Sequence, residues 1–309
     1  MAMRTLLLAP LLLVPLQSPG QPTSPQRTPS FGAGIDVISL NLSVTDAGNR
    51  LITGLSEGDF AVFEDGIRQE LSLFTREALP LSVALMVDCS ASMDEKLPVA
   101  QEAGSRFVRT LRPEDLGQVV QFNERTTVLQ DFTADRAALE GAVRNTSASG
   151  STALYNALYV TLKQLRNQGR PEAPRRRAIV LLSDGEDTAS LVNDDQVLAL
   201  ARQADVGVYV IGLRPDRALD RQRAAFSQAT YFLTTLTRDT GGEVYFPSSL
   251  SELDAVYERV AEELRSQYTV GYVSRNERRD GKWRRIVVRT PTHEDLRVRH
   301  KLGYYAARG

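Results

Sequence analysis

LSVALMVDCSASM, residues 81 to 93, is the stretch on which the reading of this chain turns. Leu81 to Val87 is apolar apart from Ser82, the pattern of a strand covered on both faces in a parallel sheet. At its carboxyl end stand Asp88, Ser90 and Ser92, one carboxylate and two hydroxyls on alternate residues. Ligand sites in open α/β sheets form outside the carboxyl ends of the strands, so these oxygens lie where a site is expected.

Downstream, strands and helices alternate. Leu97, Ala100, Ala103, Phe107 and Leu111 recur at helical spacing behind Asp94 and Glu95, with Pro98 in the first turn. Gly117 to Phe122 and Thr127 to Phe132 form a hairpin about Asn123 to Arg125, which adds an antiparallel strand. A short helix over Arg136 to Val143 and a small polar loop, Asn145 to Thr152, lead to a second helix through Leu154, Leu158, Leu162 and Leu165. After a Gly/Pro linker from Asn167 to Pro174, Arg175 to Arg177 read as a solvated entry to another buried strand, Ala178 to Leu182. That strand ends in Ser183, Asp184, Gly185, Glu186 and Asp187. Helix over 192–204, strand over 206–213, helix over 231–240, strand over 243–246 and helix over 250–267 complete the series. Residues 81–267 are therefore expected to form an α/β domain, a doubly wound, mainly parallel sheet with helices on both faces.

On either side the period changes to two. Ile38, Leu40, Leu42 and Val44 alternate with Ser39, Asn41, Ser43 and Thr45, a half-buried strand. Phe60 to Phe63 and the Asp65-Gly66 turn begin a hairpin whose return strand is expected to continue through Leu71 and Leu73. Tyr268 to Val273, Trp283 to Arg289 and Leu296 to His300 read as strands, with a turn signal at Asp280-Gly281. Residues 31–80 and 268–309 are read as two parts of one small β-sandwich-like domain into which the α/β domain is inserted.

Met1 to Gly20 carries Arg4, an apolar run from Leu6 to Leu16 and small residues at Ser18 and Gly20, the layout of a secretory signal peptide. Pro10 and Pro15 interrupt the run, which falls short of the roughly 20 residues of a spanning helix. Residues 21–30 are rich in Pro, Ser, Thr and Gln and are expected to be a disordered linker. The expectation is a protein that is secreted or held in the periplasm or cell envelope, with no membrane span. Cys89 is the one cysteine, so the 309 residues hold no internal disulfide, and it reads as a small buried side chain. Lys plus Arg (37) nearly balances Asp plus Glu (38), so no global charge argues for nucleic acid.

Asp88, Ser90 and Ser92, Thr152 in GSTALYNAL and Asp184 in LLSDGED give two carboxylates and three hydroxyls in three loops, with no histidine nearby. That set suits a hard cation, and magnesium, which takes oxygen ligands and keeps several waters, fits best. The DCSAS run, the later Thr152 in STALYNAL and Asp184 in LLSDGED resemble the metal-ion-dependent adhesion site, or MIDAS, of the von Willebrand factor type A (VWA) family over residues 81 to 265. The resemblance implies a VWA fold of Rossmann-like type and a non-enzymatic adhesion or protein-binding role. It also implies that Ser90, Ser92 and Thr152 hold the metal directly or through water, with Asp88 and Asp184 often acting through water. Mg2+ is the implied ion, with Mn2+ or Ca2+ as alternatives, and the implied partner is a protein presenting an acidic residue. The flanks FAVFEDGIRQELSLF and QYTVGYVSRNERRDGKWRRIVVRT resemble exported bacterial proteins that carry this domain.

Plainer readings stand beside this one. Asp88, Ser90 and Ser92 taken singly serve equally well as a helix-capping loop. Glu186 and Asp187 read as solvated loop residues, and His293 and His300 as structural or exposed. A metal-dependent phosphoester hydrolase is an alternative, but Ser90 stands where enzymes resembling haloacid dehalogenases need a second aspartate. No GxxxxGKS or GxGxxG loop follows the first strand of the α/β domain, and both histidines lie beyond that domain. A structural envelope protein without metal-mediated binding is the third reading.

Overall fold

The computed structural model describes residues 37–77, 79–167, 174–184, 186–213 and 227–308. The expected signal peptide and linker (1–30) lie outside the described residues, as do most of the 167–174 linker and Gly185. In chain order the amino-terminal flank comes first. β1 (Val37–Thr45) buries Leu40, Leu42 and Val44 on one face, as its alternation predicts. β2 (Ala61–Glu64) turns through Asp65 and Gly66, at φ 47° and 84°, into β3 (Ile67–Gln69). Two successive positive φ values match the twist of a two-residue hairpin, which is why Asp-Gly stands there. The return strand does not continue past Gln69. β4 (Leu71–Thr75) joins a different sheet, because β2 has only four residues to pair and the chain before it bends away in the helical turn Glu57–Asp59.

β5 (Leu81–Asp88) is buried at every residue. It is followed by α1 (Leu97–Arg109), β6 (Leu116–Phe122), β7 (Thr126–Thr133), α2 (Arg136–Arg144), α3 (Leu154–Asn167) and β8 (Arg176–Ser183). Then come α4 (Asp194–Ala204), β9 (Gly207–Gly212), α5 (Gln228–Thr240), β10 (Val244–Tyr245) and α6 (Leu253–Ser266). The six strands lie in the order β10-β9-β8-β5-β6-β7, parallel except for the β6–β7 hairpin at one edge. Alternation along β5 sets the layers. Val83, Leu85 and Val87 share a core with α1, α2 and α6, while Ala84 and Met86 share one with α3, α4 and α5. Helices thus cover both faces, and each Val, Leu or Met that β5 buries contributes about 1.5–3 kcal/mol. Among the described residues no helix is long and apolar enough to cross a membrane.

The carboxyl-terminal flank supplies β11 (Tyr268–Val273), β12 (Trp283–Arg289), β13 (Arg297–Arg299) and β14 (Gly303–Tyr305). β11 runs antiparallel between β1 and β4, with Val37 opposite Val273, and β12 runs antiparallel to β2. Two four-stranded sheets result, β13-β1-β11-β4 and β14-β12-β2-β3. Their inner faces share Leu42, Val62, Tyr268, Val270, Tyr272 and Ile286, so the two flanks close one β-sandwich around a common core.

The polar face of β1 turns toward α6, where Ser43 Oγ donates to Glu263 Oε1 at 2.7 Å. Glu263 also accepts from Tyr209 OH at 2.8 Å and is ion-paired with Arg299. Arg176 departs from the expected solvated entry and is only 5% exposed. Its Nε donates to Leu79 O (2.9 Å) and its Nη1 to Gln267 Oε1 (2.8 Å) and to Leu264 O. The last carbonyls of a helix lack intrahelical donors, and this arginine answers that need at the end of α6.

Candidate metal centre

Asp88 closes β5, fully buried, and both its oxygens are engaged. Ser90 N donates to Oδ1 at 3.0 Å, and Ser183 Oγ, at the end of the adjacent parallel strand β8, donates to Oδ2 at 2.6 Å. The chain then passes through Cys89, whose N donates to Phe122 O and whose O accepts from Ser149 N, each at 2.7 Å. These bonds pin the loop between β6 and the segment ahead of α3. Ala91 N donates to Gly150 O at 3.0 Å, and Gly150 sits at φ 72°, a conformation that glycine adopts without a Cβ penalty.

Across this frame the hydroxyls line up. Ser90 Oγ and Ser92 Oγ lie 3.1 Å apart, and Ser92 Oγ donates to Asp184 Oδ2 at 2.7 Å. Asp88, Ser90, Ser92 and Asp184 are thereby joined in one hydrogen-bonded chain that crosses from β5 to β8. Thr152, 5% exposed, sits in the loop bonded to Ala91, and its backbone is fixed to a neighbouring loop by Thr188 and Ala189. Among the described residues its hydroxyl makes no hydrogen bond to the other four. Four of the five expected residues are brought into bonded contact, and the fifth stands one short loop away.

Burial pushes the Asp88 carboxyl above its ordinary value, and the negative charge of Asp184 adds to that, against the bonds from Ser183 and Ser90. A buried carboxylate beside a second one is the electrostatic setting that a cation relieves. Burial likewise pushes the Cys89 thiol up to about 12, and the side chain packs in the apolar core beside β5. Among the described residues no group of three His, Cys, Asp or Glu side chains converges anywhere. The donor set is hard oxygen only, and it fits a small divalent cation held by few carboxylates.

Other residues around the site take roles that the sequence did not assign to them. Ser183 is one, legible only from its place beside Asp88 in parallel register. Asp187 is another, since its Oδ1 accepts from Tyr155 N at 3.1 Å in the first turn of α3 and from Ser190 Oγ at 2.6 Å, a capping role in place of the solvated one expected. Asn156 Oδ1 holds the next loop through Leu191 N and Val192 N. His293 and His300 belong to the sandwich, where His300 Nε2 accepts from Val288 N at 3.2 Å.

Residues 83–186 match the family model described as von Willebrand factor type A domain, a span that holds all five residues. The chain is 30% identical over 224 residues to a UPF0353 protein of Nocardia farcinica (strain IFM 10152), a match covering 63% of this chain and 66% of that one. It is 30% identical over 190 residues to inter-alpha-trypsin inhibitor heavy chain H1 of Sus scrofa, covering 53% of this chain and 21% of the other. The chain therefore spans less than two thirds of the length of these curated relatives. A solved structure, von Willebrand factor type A from Catenulispora acidiphila, aligns at 15% identity with a TM-score of 0.49, covering 90% of this chain and 75% of that one.

Proposed function

The chain carries a von Willebrand factor type A domain of bacterial type, and on that premise we propose that it is an exported, metal-ion-dependent protein-binding module of adhesion type. Asp88, Ser90, Ser92, Thr152 and Asp184 would hold the ion, Mg2+ in the first place, with Mn2+ or Ca2+ as alternatives. Once bound, the ion supplies positive charge that a carboxylate of a partner protein can share. The protein's own part is to fix the oxygens. Asp88 is clamped by Ser183 and Ser90 N, and Asp184 is held to Ser92, so the carboxylates are placed before any ligand arrives. Because most of the donors are neutral hydroxyls, the charge of the ion is not cancelled from within. The observation that supports this reading best is the hydrogen-bonded chain from Asp88 to Asp184 at the carboxyl edge of β5 and β8.

Calorimetric titration of Mg2+ into the protein and into Asp88→Ala, Asp184→Ala and Thr152→Ala tests it. Each aspartate variant is expected to lose at least about tenfold in affinity, roughly 1.4 kcal/mol, and Thr152→Ala less, since water replaces a neutral ligand. Unchanged Mg2+ affinity in both aspartate variants overturns the proposal. Capture from the native envelope with and without chelator then identifies the acidic partner.

A further inference from the structure

At the opposite end of the central sheet, the amino-terminal ends of β5, β8 and β9 and the edge strand β14 enclose a cavity of about 290 Å3. Its lining brings Arg166, Arg176, Arg202 and Lys301 together with Asp205 and Asp239. Both carboxylates are spent within this set. Asp239 pairs with Arg202 at 2.7 Å and Asp205 with Lys301 at 2.5 Å. Among the described residues Arg166, exposed at the end of α3, donates to the neutral Gln203 Oε1 at 3.2 Å and pairs with no carboxylate.

Arg176 is the unusual member. It is 5% exposed, and among the described residues its acceptors are neutral oxygens, of Leu79, Leu264 and Gln267. Among the described residues no carboxylate forms an ion pair with it, and Asp115 acts on it only at longer range. Buried charges are paired as a rule, because leaving water without a counter-ion is costly. Burial pulls the Arg176 pKa down to about 10, which still leaves it charged at neutral pH.

We propose that this cavity binds a phosphate-type oxyanion, free or as the phosphoryl group of a small metabolite, with Arg176 and Arg166 as its counter-ions. Planar guanidinium forks suit such an anion, and a tetrahedral dianion uses two of them where a single carboxylate would not. The volume is at the small end for ligand sites, enough for a phosphoryl group with a short carbon skeleton and too small for a polymer. The proposal is independent of the metal reading, since the two sites lie at opposite edges of the sheet.

Thermal unfolding and 31P NMR of the full chain, titrated with inorganic phosphate at constant ionic strength against chloride, test it. A saturable rise in the unfolding midpoint is expected. Arg176→Gln is expected to abolish the phosphate-dependent rise. Arg166→Glu, an exposed change that puts no strain on folding, is expected to weaken phosphate binding roughly tenfold. Glycerol 3-phosphate separates the two sources: a larger rise than with phosphate places the phosphoryl group on a metabolite, and an equal or smaller one points to the free ion. A midpoint that ignores which anion is present, or unchanged phosphate affinity in Arg166→Glu, overturns the site.

Discussion

Asp59 and Asp88 both accept hydrogen bonds from a nearby serine, yet their acidities move in opposite directions. Ser56 N and Ser56 Oγ reach Asp59 Oδ2 at 2.7 Å each on a solvated turn, and these bonds hold its pKa down at about 2. At Asp88 burial outweighs the bonds from Ser183 and Ser90, and the pKa rises. For Asp59 the folded value lies below the unfolded one, so its contribution to stability is present above about pH 4 and is lost as pH falls toward about 2. Asp59→Asn is therefore expected to lower the thermal midpoint near pH 5 and to flatten the acid-induced fall between about pH 4 and 2. Parallel curves for the two proteins would refute this. The same contrast marks what was legible at this scale. The placement of Asp88, Ser90, Ser92 and Asp184 just past strand ends could be read from the sequence because strand ends can be, whereas Ser183 and Arg176 owe their contacts to residues far along the chain.

Helices α1, α3 and α6 were legible because their apolar residues fall on one face, and that face is the one each buries. β3 and β14 hold three residues each, too few for a period to show, and β4 was assigned to the wrong sheet because alternation tells a strand its faces but not its neighbours. Glu263 of α6 takes donors from Ser43 on β1, Tyr209 on β9, Tyr245 on β10 and Arg299 on β13. Glu263→Gln keeps the volume and removes the charge. Losing one member of a buried pair costs about 3–5 kcal/mol, and the low end is expected here because Glu243 still pairs with Arg299. Urea denaturation should show a loss of about 3 kcal/mol with an unchanged slope. A loss below about 1 kcal/mol would mean that the pair behaves as a surface one.

For the whole molecule, the insertion of an α/β part between two β flanks was readable from the switch of period near residues 80 and 268, although the pairing of strands was not. Removing 268–309 would strip β1 of both its partners, β11 and β13, and uncover Leu40, Leu42 and Val44. Aggregation by light scattering is the expected outcome, and a soluble product with unchanged hydrogen exchange across β1 would refute it. The same pairing governs the order of assembly. Thr269 Oγ1 donates to Asn41 Oδ1 across a sequence separation of 228, a loop whose closure costs entropy long before its contacts repay it. Once the inserted part has folded, the start of β5 and the end of α6 hold β4 and β11 side by side, with Thr75 opposite Thr269, and the long loop becomes a short tether. The sandwich should therefore form last. Trp283, the single tryptophan, sits on β12 within it, while the described α-helices all lie in the inserted part. On refolding from urea, helical ellipticity is expected to return before tryptophan fluorescence, and a single shared rate constant would show that both parts fold as one unit.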